Sequence, residues 1–179
     1  MLPIRVFGDP VLRQRARAVE RVTRVHRRLV RDMIETMREA PGVGLAGPQV
    51  GVVERVFVWE VEDDHGAVFN PVITWRSDDT VVEEEGCLSL PGLAYPVERA
   101  AEVVVEGLDE RGEPVRLEAE DLLARVCQHE IDHLDGVLFV DRLPEDLRRD
   151  ALRTLRERAL GLPPSQPRVA APTAPEETL

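Results

Sequence analysis

Residues 121–136 read DLLARVCQHEIDHLDG, a stretch in which helical periodicity and paired histidines occur together. Apolar side chains recur here at helical spacing, at Leu122, Leu123, Val126, Ile131 and Leu134. Gly136 follows, and glycine is the residue that most often ends a helix in a left-handed conformation. The stretch therefore predicts a helix over residues 121–135.

The same helix carries a His-Glu-x-x-His pattern, formed by His129, Glu130 and His133. Because successive residues turn about 100° around a helix, the two histidines lie on one face, where they can share one ion. Glu130 falls beside them and can touch a metal-bound water without being a ligand, which suits a general base in metal-assisted hydrolysis. A surface helix that happens to hold two histidines is the alternative. We favour the metal site because the spacing and the internal glutamate coincide.

Two histidines leave a tetrahedral site incomplete, so the sequence must supply a third ligand. Phe139 stands where metzincin proteases have their third histidine, which excludes that class. A downstream glutamate, Glu145 or Glu157, could serve as it does in thermolysin-like enzymes, but neither lies in a recognisable motif.

The two cysteines are the other candidates for the third ligand. Cys127 lies two residues before His129 and so points about 200° around the helix, which predicts a core thiol. Cys87 lies in EGCLSLPG, residues 85–92, whose glycines and proline predict a turn or strand end lining a cleft. From the residues alone, Cys87 either completes the metal site or is a small buried side chain, as most free cysteines are.

The elements around this helix predict an α+β fold. A first helix begins after Thr23 and stops at Pro41–Gly42, and a last helix runs from Pro144 to near Gly161. We predict strands at 52–61, 67–74, 80–82, 100–108 and 113–119, the last two joined as a hairpin. Since strands and helices do not alternate, antiparallel or mixed sheets should pack around the central helix, with a helix near each terminus.

Length and composition indicate one domain. Of the 179 residues, 43% are apolar, which is enough for one sizeable core. We expect residues 1–162 to form a single catalytic domain. Residues 163–179 are rich in proline and alanine and are expected to be a disordered tail.

All 23 basic side chains are arginine, so no lysine is present. That excludes Schiff-base chemistry and the P-loop, both of which need a lysine amine. The two cysteines are too few for a disulfide framework, and neither a signal peptide nor an apolar run of membrane-spanning length is present. We expect a cytoplasmic protein without a membrane partner.

The net charge of −11 conceals a basic N-terminal region, because residues 1–31 contain nine arginines against Asp9 and Glu20. Five of those arginines fall on or beside the first helix: Arg21, Arg24, Arg27, Arg28 and Arg31. They could bind RNA or another polyanion. We favour the alternative, a solvated helix face, because no aromatic or Gly-rich nucleic-acid motif accompanies them, and the acidity elsewhere argues against specific DNA binding.

Three blocks, in this order and spacing, resemble the peptide deformylase family. They are GVGLAGPQ at 42–49, EGCLS at 85–89 and QHEIDHLDG at 128–136. Gly47 stands where the family usually has alanine, and we expect it to loosen the loop slightly.

The resemblance implies a role for each matching residue. It implies three ligands to a divalent metal that keeps water in its fourth position: Cys87, His129 and His133. It implies that Glu130 is the general base and later the acid. It implies two donors to the oxygen of the formyl group: the side chain of Gln49 and the backbone N–H of Leu88. It implies three backbone positions that bind the substrate peptide as an added strand: Val43, Gly44 and Gly86.

The activity implied by the resemblance is metal-dependent removal of the formyl group from the initiator methionine of nascent polypeptides, with release of formate. The implied metal in the cell is Fe(2+), with Zn(2+), Ni(2+) or Co(2+) possible in purified protein. The implied partners are N-formyl-methionyl nascent peptides, and the ribosome through transient docking of the last helix. Near the blocks, Arg99 and Asp132 are expected to be buried ion-pair partners.

Two other functions fit parts of the pattern. A zinc endopeptidase built on the same helix would have a third ligand other than Cys87. A non-catalytic metal module, facing RNA through the arginine-rich helix, would have a closed site with four ligands.

Overall fold

The computed structural model describes residues 1–162, so the predicted tail at 163–179 lies outside the described residues. Its three helices are α1 Arg24–Glu39, α2 Asp121–Leu134 and α3 Glu145–Ala159. Its seven strands are β1 Gly44–Ala46, β2 Val56–Val61, β3 Asp64–Arg76, β4 Thr80–Gly86, β5 Ala94–Ala100, β6 Glu102–Leu108 and β7 Pro114–Glu120. None of the helices is long and apolar enough to cross a membrane.

The strands form two antiparallel sheets. The larger sheet has the order β1-β2-β3-β6-β7, and β4 pairs with β5 in a separate two-stranded sheet. In the larger sheet β1 and β7 are the edge strands, so β1 keeps one edge that no strand of this sheet covers.

Side chains that alternate along β2 place α1 and α2 on opposite faces of the larger sheet. Phe57 and Trp59 pack in one core cluster with residues of α2, including Cys127 and Leu134. The neighbouring residues Val56 and Val58 pack in another cluster with residues of α1, including Met33 and Met37. Since successive side chains of a strand point to opposite faces, the sheet lies between the two helices.

A third core cluster joins α3 to the smaller sheet. Ala151 and Leu155 of α3 pack with Val97 of β5 and with Leu138 and Phe139, which follow α2. Phe139, the position that excluded a metzincin, is therefore a core residue. Helix α2 belongs to the cluster that contains Phe57, and its residues from Ala124 to Leu134 are all buried.

The α+β prediction is confirmed, with a helix near each end of the described chain and α2 in the centre. The predicted strand at 52–61 begins too early, because β2 starts at Val56 and the backbone of residues 53–55 is bonded to Arg17 instead. The predicted strand at 80–82 is too short, since β4 continues to Gly86. Strands β1 and β5 were not predicted. Strand β5 contains Pro96, which a two-stranded sheet tolerates because each of its strands has an open edge.

Truncation of Phe57 tests how much the packing between α2 and the larger sheet contributes to the free energy of unfolding. Phe57 is 0% exposed, and Phe57→Ala should lower the free energy of unfolding by about 3–5 kcal/mol. Urea denaturation measures the loss. Val25→Ala is the matched control, because Val25 is 76% exposed and its truncation should change the same quantity by less than about 0.5 kcal/mol. Equal losses in the two variants would contradict this account of the core.

Candidate metal centre

A cavity of about 540 Å³ opens between α2, the loop before β1 and the end of β4. One stripe of α2 forms its floor, with residues at positions i, i+3, i+4, i+7 and i+8: Leu122, Arg125, Val126, His129 and Glu130. Residues 41–44 form one wall and residues 84–88 form another. The helix thus presents its histidine and glutamate to the same space.

Three potential metal ligands meet at the inner end of this cavity. The Cys87 Sγ atom lies 3.2 Å from His133 Nε2, and His133 Nε2 lies 3.1 Å from His129 Nε2. The three ligand atoms all lie within 4.8 Å of one another. Ligand bonds of about 2.0–2.3 Å in a tetrahedral site place ligand atoms roughly 3.3–3.6 Å apart. The donor set, one sulfur and two imidazole nitrogens, therefore fits a divalent transition metal.

Glu85 fixes the orientation of the His129 ring by bonding to its Nδ1 atom. This Nδ1 atom lies 2.5 Å from Glu85 Oε1, so Nε2 is the atom that faces Cys87 and His133. A carboxylate bonded to the second nitrogen of a ligating histidine fixes the ring orientation and strengthens the ligand. The resemblance did not name Glu85, although the residue opens the 85–89 block.

Glu85 is itself part of a buried ion network. It accepts hydrogen bonds from Arg99 at 3.0 and 2.6 Å and from Arg125 at 2.9 Å. Burial alone would raise the pKa of Glu85, but the hydrogen bonds from His129 and Arg99 outweigh it and hold this pKa well below its usual range. The carboxylate is therefore ionised near neutral pH, where it positions His129.

Arg99 and Asp132 are each a buried ion-pair partner, as predicted, and they pair with each other. Arg99 Nη1 donates to Asp132 Oδ2 at 2.7 Å, and both residues are buried. Arg142, whose role was not predicted from the sequence, donates to the same carboxylate at 3.1 and 2.7 Å. Asp132 follows His129 on α2 by three residues and lies about 60° from it around the helix, so this pairing holds the flank of α2 beside His129.

Glu130 lies beside the three ligands and is 3% exposed. Within residues 1–162, its Oε2 atom has no hydrogen-bond partner. Burial raises the pKa of Glu130 to about 7. The side chain can lie there because Gly44 has no Cβ: a methyl group at Gly44 would overlap Glu130 Oε1 and lie 2.9 Å from Val126 Cγ1.

Gln49 approaches the ligands from the 3-10 turn that follows β1. Its Oε1 atom accepts from the Ala46 N–H at 2.8 Å, which turns the NH₂ group towards the site. Nε2 lies 3.6 Å from Cys87 Sγ and 3.2 Å from Ser89 Oγ. Gly47 in this turn is buried, and a Cβ there would lie 2.7 Å from Val52 O, so alanine would not fit this backbone unchanged. The expected loosening of the loop stays a prediction.

The structure brings together the nine residues to which the resemblance gives a role. Seven of them line the cavity: Val43, Gly44, Gly86, Cys87, Leu88, His129 and Glu130. Gln49 and His133 lie behind the cavity surface, and both contact Cys87. Sequence reasoning did not select Arg125, which forms part of the floor.

The alternatives to Cys87 fail on position. Among residues 1–162, the group of side chains able to hold an ion consists of Cys87, His129 and His133, and neither Glu145 nor Glu157 belongs to it. Cys127 is a core thiol as predicted, since it is 0% exposed and burial raises its pKa to about 12. The group has three members, which is the arrangement of catalytic sites and not of closed structural ones.

Comparison with known proteins identifies the relationship. The sequence model of a family described as Polypeptide deformylase matches residues 1–149. The chain belongs to the peptide deformylase family. Peptide deformylases are metal-dependent hydrolases that remove the formyl group from the N-terminus of nascent polypeptides, and membership of the family assigns this activity to the chain.

Individual peptide deformylases are similar over most of the chain. The protein from Acidothermus cellulolyticus is 55% identical over 155 residues, which cover 87% of this chain and 86% of that protein. The crystal structure of the Thermus thermophilus enzyme has 52% identity and a TM-score of 0.82, covering 89% of this chain and 94% of that one. The Ehrlichia chaffeensis enzyme in complex with actinonin has 35% identity and a TM-score of 0.84, covering 88% and 97%.

The space left by Gly44 makes that residue a test of the deformylase site. In Gly44→Ala, the new methyl group would displace the Glu130 carboxylate and press on Val126. We expect formate release to fall at least about tenfold, since small displacements of a reacting group cost this much or more. The metal content of the variant, measured by mass spectrometry, should stay at one equivalent. Full activity in Gly44→Ala would show that the position of Glu130 is not held by this contact.

Proposed function

We propose that Cys87, His129 and His133 hold the divalent metal of this deformylase and that Glu130 transfers the protons of the reaction. The observation that carries the proposal is the meeting of the three ligand atoms within 4.8 Å of one another at the end of a cavity that Glu130 also lines. When bound there with one open position, a divalent metal supplies a Lewis acid and lowers the pKa of a coordinated water to about 7.

Glu130 is placed to carry protons in both halves of the reaction. Its Oε2 atom, which has no protein partner within residues 1–162, takes a proton from the attacking water as the water oxygen adds to the formyl carbon. The same carboxylic acid then returns the proton to the amine nitrogen as the carbon–nitrogen bond breaks. Formate and a free α-amine are the products. A pKa near neutrality suits both transfers.

Two donors stabilise the negative charge that develops on the formyl oxygen. The Gln49 NH₂ group points to the site because its carbonyl is held by Ala46 N–H. Leu88 follows Cys87 directly, so its backbone N–H is the second donor. Losing one donor of this kind typically raises the barrier by about 3 kcal/mol.

The substrate peptide binds as an additional strand. Strand β1 is an edge strand, and the Val43 carbonyl on its inner side already accepts from Glu60 N–H at 3.0 Å. The outer side of Val43 and Gly44 faces the cavity, opposite Gly86 at the end of β4. An extended peptide between these segments gains main-chain hydrogen bonds, a form of β-augmentation. The formyl end then points along α2 towards His129.

The metal in the cell is Fe(2+) in this proposal. One thiolate with two imidazoles is a donor set that also accepts Zn(2+), Ni(2+) or Co(2+), so the purified protein can carry a substitute. Protein purified anaerobically from iron-supplied cells should contain iron by mass spectrometry and should lose activity in air. Zinc as the sole metal in such a preparation would contradict the assignment.

The remaining proposals concern the setting of the enzyme. Residues 1–162 act as a single catalytic domain, because α2 contacts strands of both the larger and the smaller sheet. The enzyme works in the cytoplasm and needs no membrane or specific DNA, since its substrates are N-formyl-methionyl nascent peptides. Transient docking on the ribosome would bring it to these substrates.

Removal of the carboxylate at Glu130 tests the proton-transfer role. Glu130→Gln should lower the rate of formate release from formyl-Met-Ala-Ser by about 10²–10⁴, while the bound metal stays at one equivalent. Glu145→Gln is the matched control, because the Glu145 side chain is 84% exposed on α3 and its loss should leave the rate unchanged. An active Glu130→Gln enzyme would refute the role, and no formate from the iron-loaded parent would refute the activity.

Removal of the sulfur at Cys87 tests the ligand set. Cys87→Ala should lose both the metal and formate release, because two histidines remain as ligands. Cys127→Ala makes the same chemical change in the core and should keep one equivalent of metal, at some cost in stability. Normal metal content in Cys87→Ala would overturn the assignment of the third ligand.

A further inference from the structure

Five arginines whose side chains have no ion-pair or hydrogen-bond partner within residues 1–162 lie together around α1. They are Arg21, Arg24, Arg27, Arg31 and Arg111. The other arginines in this range, except Arg156, contact a carboxylate, a side-chain amide or a backbone carbonyl. In a chain with a net charge of −11, carboxylates are in excess, so five unpaired guanidinium groups at one place require an explanation.

The five side chains line a groove between α1 and the turn that joins β6 to β7. Arg24, Arg27 and Arg31 are three and then four residues apart, so they lie on one face of α1, over about 10.5 Å. Arg111, in the turn, forms the opposite wall and is shared by two adjoining cavities of about 560 and 490 Å³. We call the set formed by these four residues and Arg21 the arginine groove.

Carboxylates also line the groove, but they do not neutralise it. They are Glu20, Asp109 and Glu110. The Asp109 carboxylate is occupied within its own turn, where it accepts the backbone N–H groups of Arg111 and Glu113 at 2.8 and 2.9 Å. Neither Glu20 nor Glu110 forms an ion pair with the five arginines, so positive charge predominates in the groove.

The position of the arginines on α1 is unfavourable for the helix itself. The first turn contains no acidic residue, although the positive end of a helix dipole favours acidic side chains there. The dipole therefore adds to the field of Arg24 and Arg27 instead of opposing it. The start of α1 therefore attracts an anion more strongly than its arginines alone would.

We propose that the arginine groove binds the phosphate backbone of RNA. Guanidinium groups form paired hydrogen bonds to phosphate, and their helical spacing matches a partner with regularly repeated anions. Walls on both sides suit a phosphate strand that enters the groove, whereas a flat bilayer would reach only the crest of α1. The proposal rests on the ribosome docking proposed above, which the family resemblance assigns to the last helix, and adds α1 as a second element that meets ribosomal RNA.

RNA in the groove would leave the substrate cavity open. Helices α1 and α2 lie on opposite faces of the larger sheet. Helix α1 has 16 residues and is roughly 24 Å long. Its arginines lie near its start, and the cavity wall at residues 41–44 follows its end. The enzyme could therefore be held by RNA while it acts on a peptide.

Fluorescence anisotropy with a labelled RNA hairpin of about 16 base pairs tests the proposal, at 50 and 200 mM KCl. The full chain should bind at the lower salt, and its affinity should fall steeply at the higher one. The triple variant Arg24→Gln/Arg27→Gln/Arg31→Gln should bind at least about tenfold more weakly at 50 mM KCl. Its slope of log affinity against log salt should be shallower by about 3.

The control variant Arg15→Gln/Arg17→Gln/Arg116→Gln removes the same charge from ion-paired positions outside the groove. It should bind RNA within about twofold of the parent. Both variants should release formate from formyl-Met-Ala-Ser at the parental rate, so failure of RNA binding and failure of the enzyme are separate results.

Three outcomes would overturn the proposal. The first is no RNA binding by the full chain at 50 mM KCl. The second is an equal loss in the two triple variants, which would indicate a general effect of net charge. The third is competition by poly-glutamate as strong as that by unlabelled RNA, which would indicate an acidic protein partner instead.

Discussion

The buried carboxylate of Glu85 is the group on which the rest of the structure depends. It stands near the end of β4 and is bonded to Arg99 of β5, to Arg125 of α2 and to His129 of the same helix. One ionised group thus joins both strands of the smaller sheet to the central helix. Burying these charges is acceptable because each has a partner, and loss of one partner of a buried pair typically costs about 3–5 kcal/mol. The orientation of a proposed metal ligand is therefore set by the same contact that joins the smaller sheet to α2.

The parts of this design that follow local rules could be predicted from the sequence. The helix at Asp121–Leu134 and its paired histidines follow from periodicity and spacing, and the β6–β7 hairpin follows from its turn. Cys87 was one of two alternatives on its residues alone, and only the resemblance favoured it. The roles of Glu85 and Arg125 could not be predicted, because their bond spans 40 residues of sequence and exists only once β4 lies over α2.

Strands β1 and β5 were not predicted from the sequence, for a related reason. Strand β1 has three residues, too few for an alternating pattern, and it is identified by its pairing with β2. Strand β5 contains Pro96 and several charged or exposed side chains, which suggest a loop until β4 is available as a partner. In both cases a strand is defined by its neighbour, and a single sequence does not contain that information.

The two faces of the larger sheet pack against different helices, and the alternating side chains of β2 determine which helix each face contacts. Phe57 and Trp59 point to α2, while Val56 and Val58 point to α1. A shift of β2 by one residue would exchange these sets and force two large rings under α1, with two small side chains left beneath α2. An insertion or deletion of one residue inside β2 would thus disrupt the packing on both faces of the sheet. Glu62 and Asp63 form the turn between β2 and β3. A change in chain length there leaves the orientation of the β2 side chains on both faces intact.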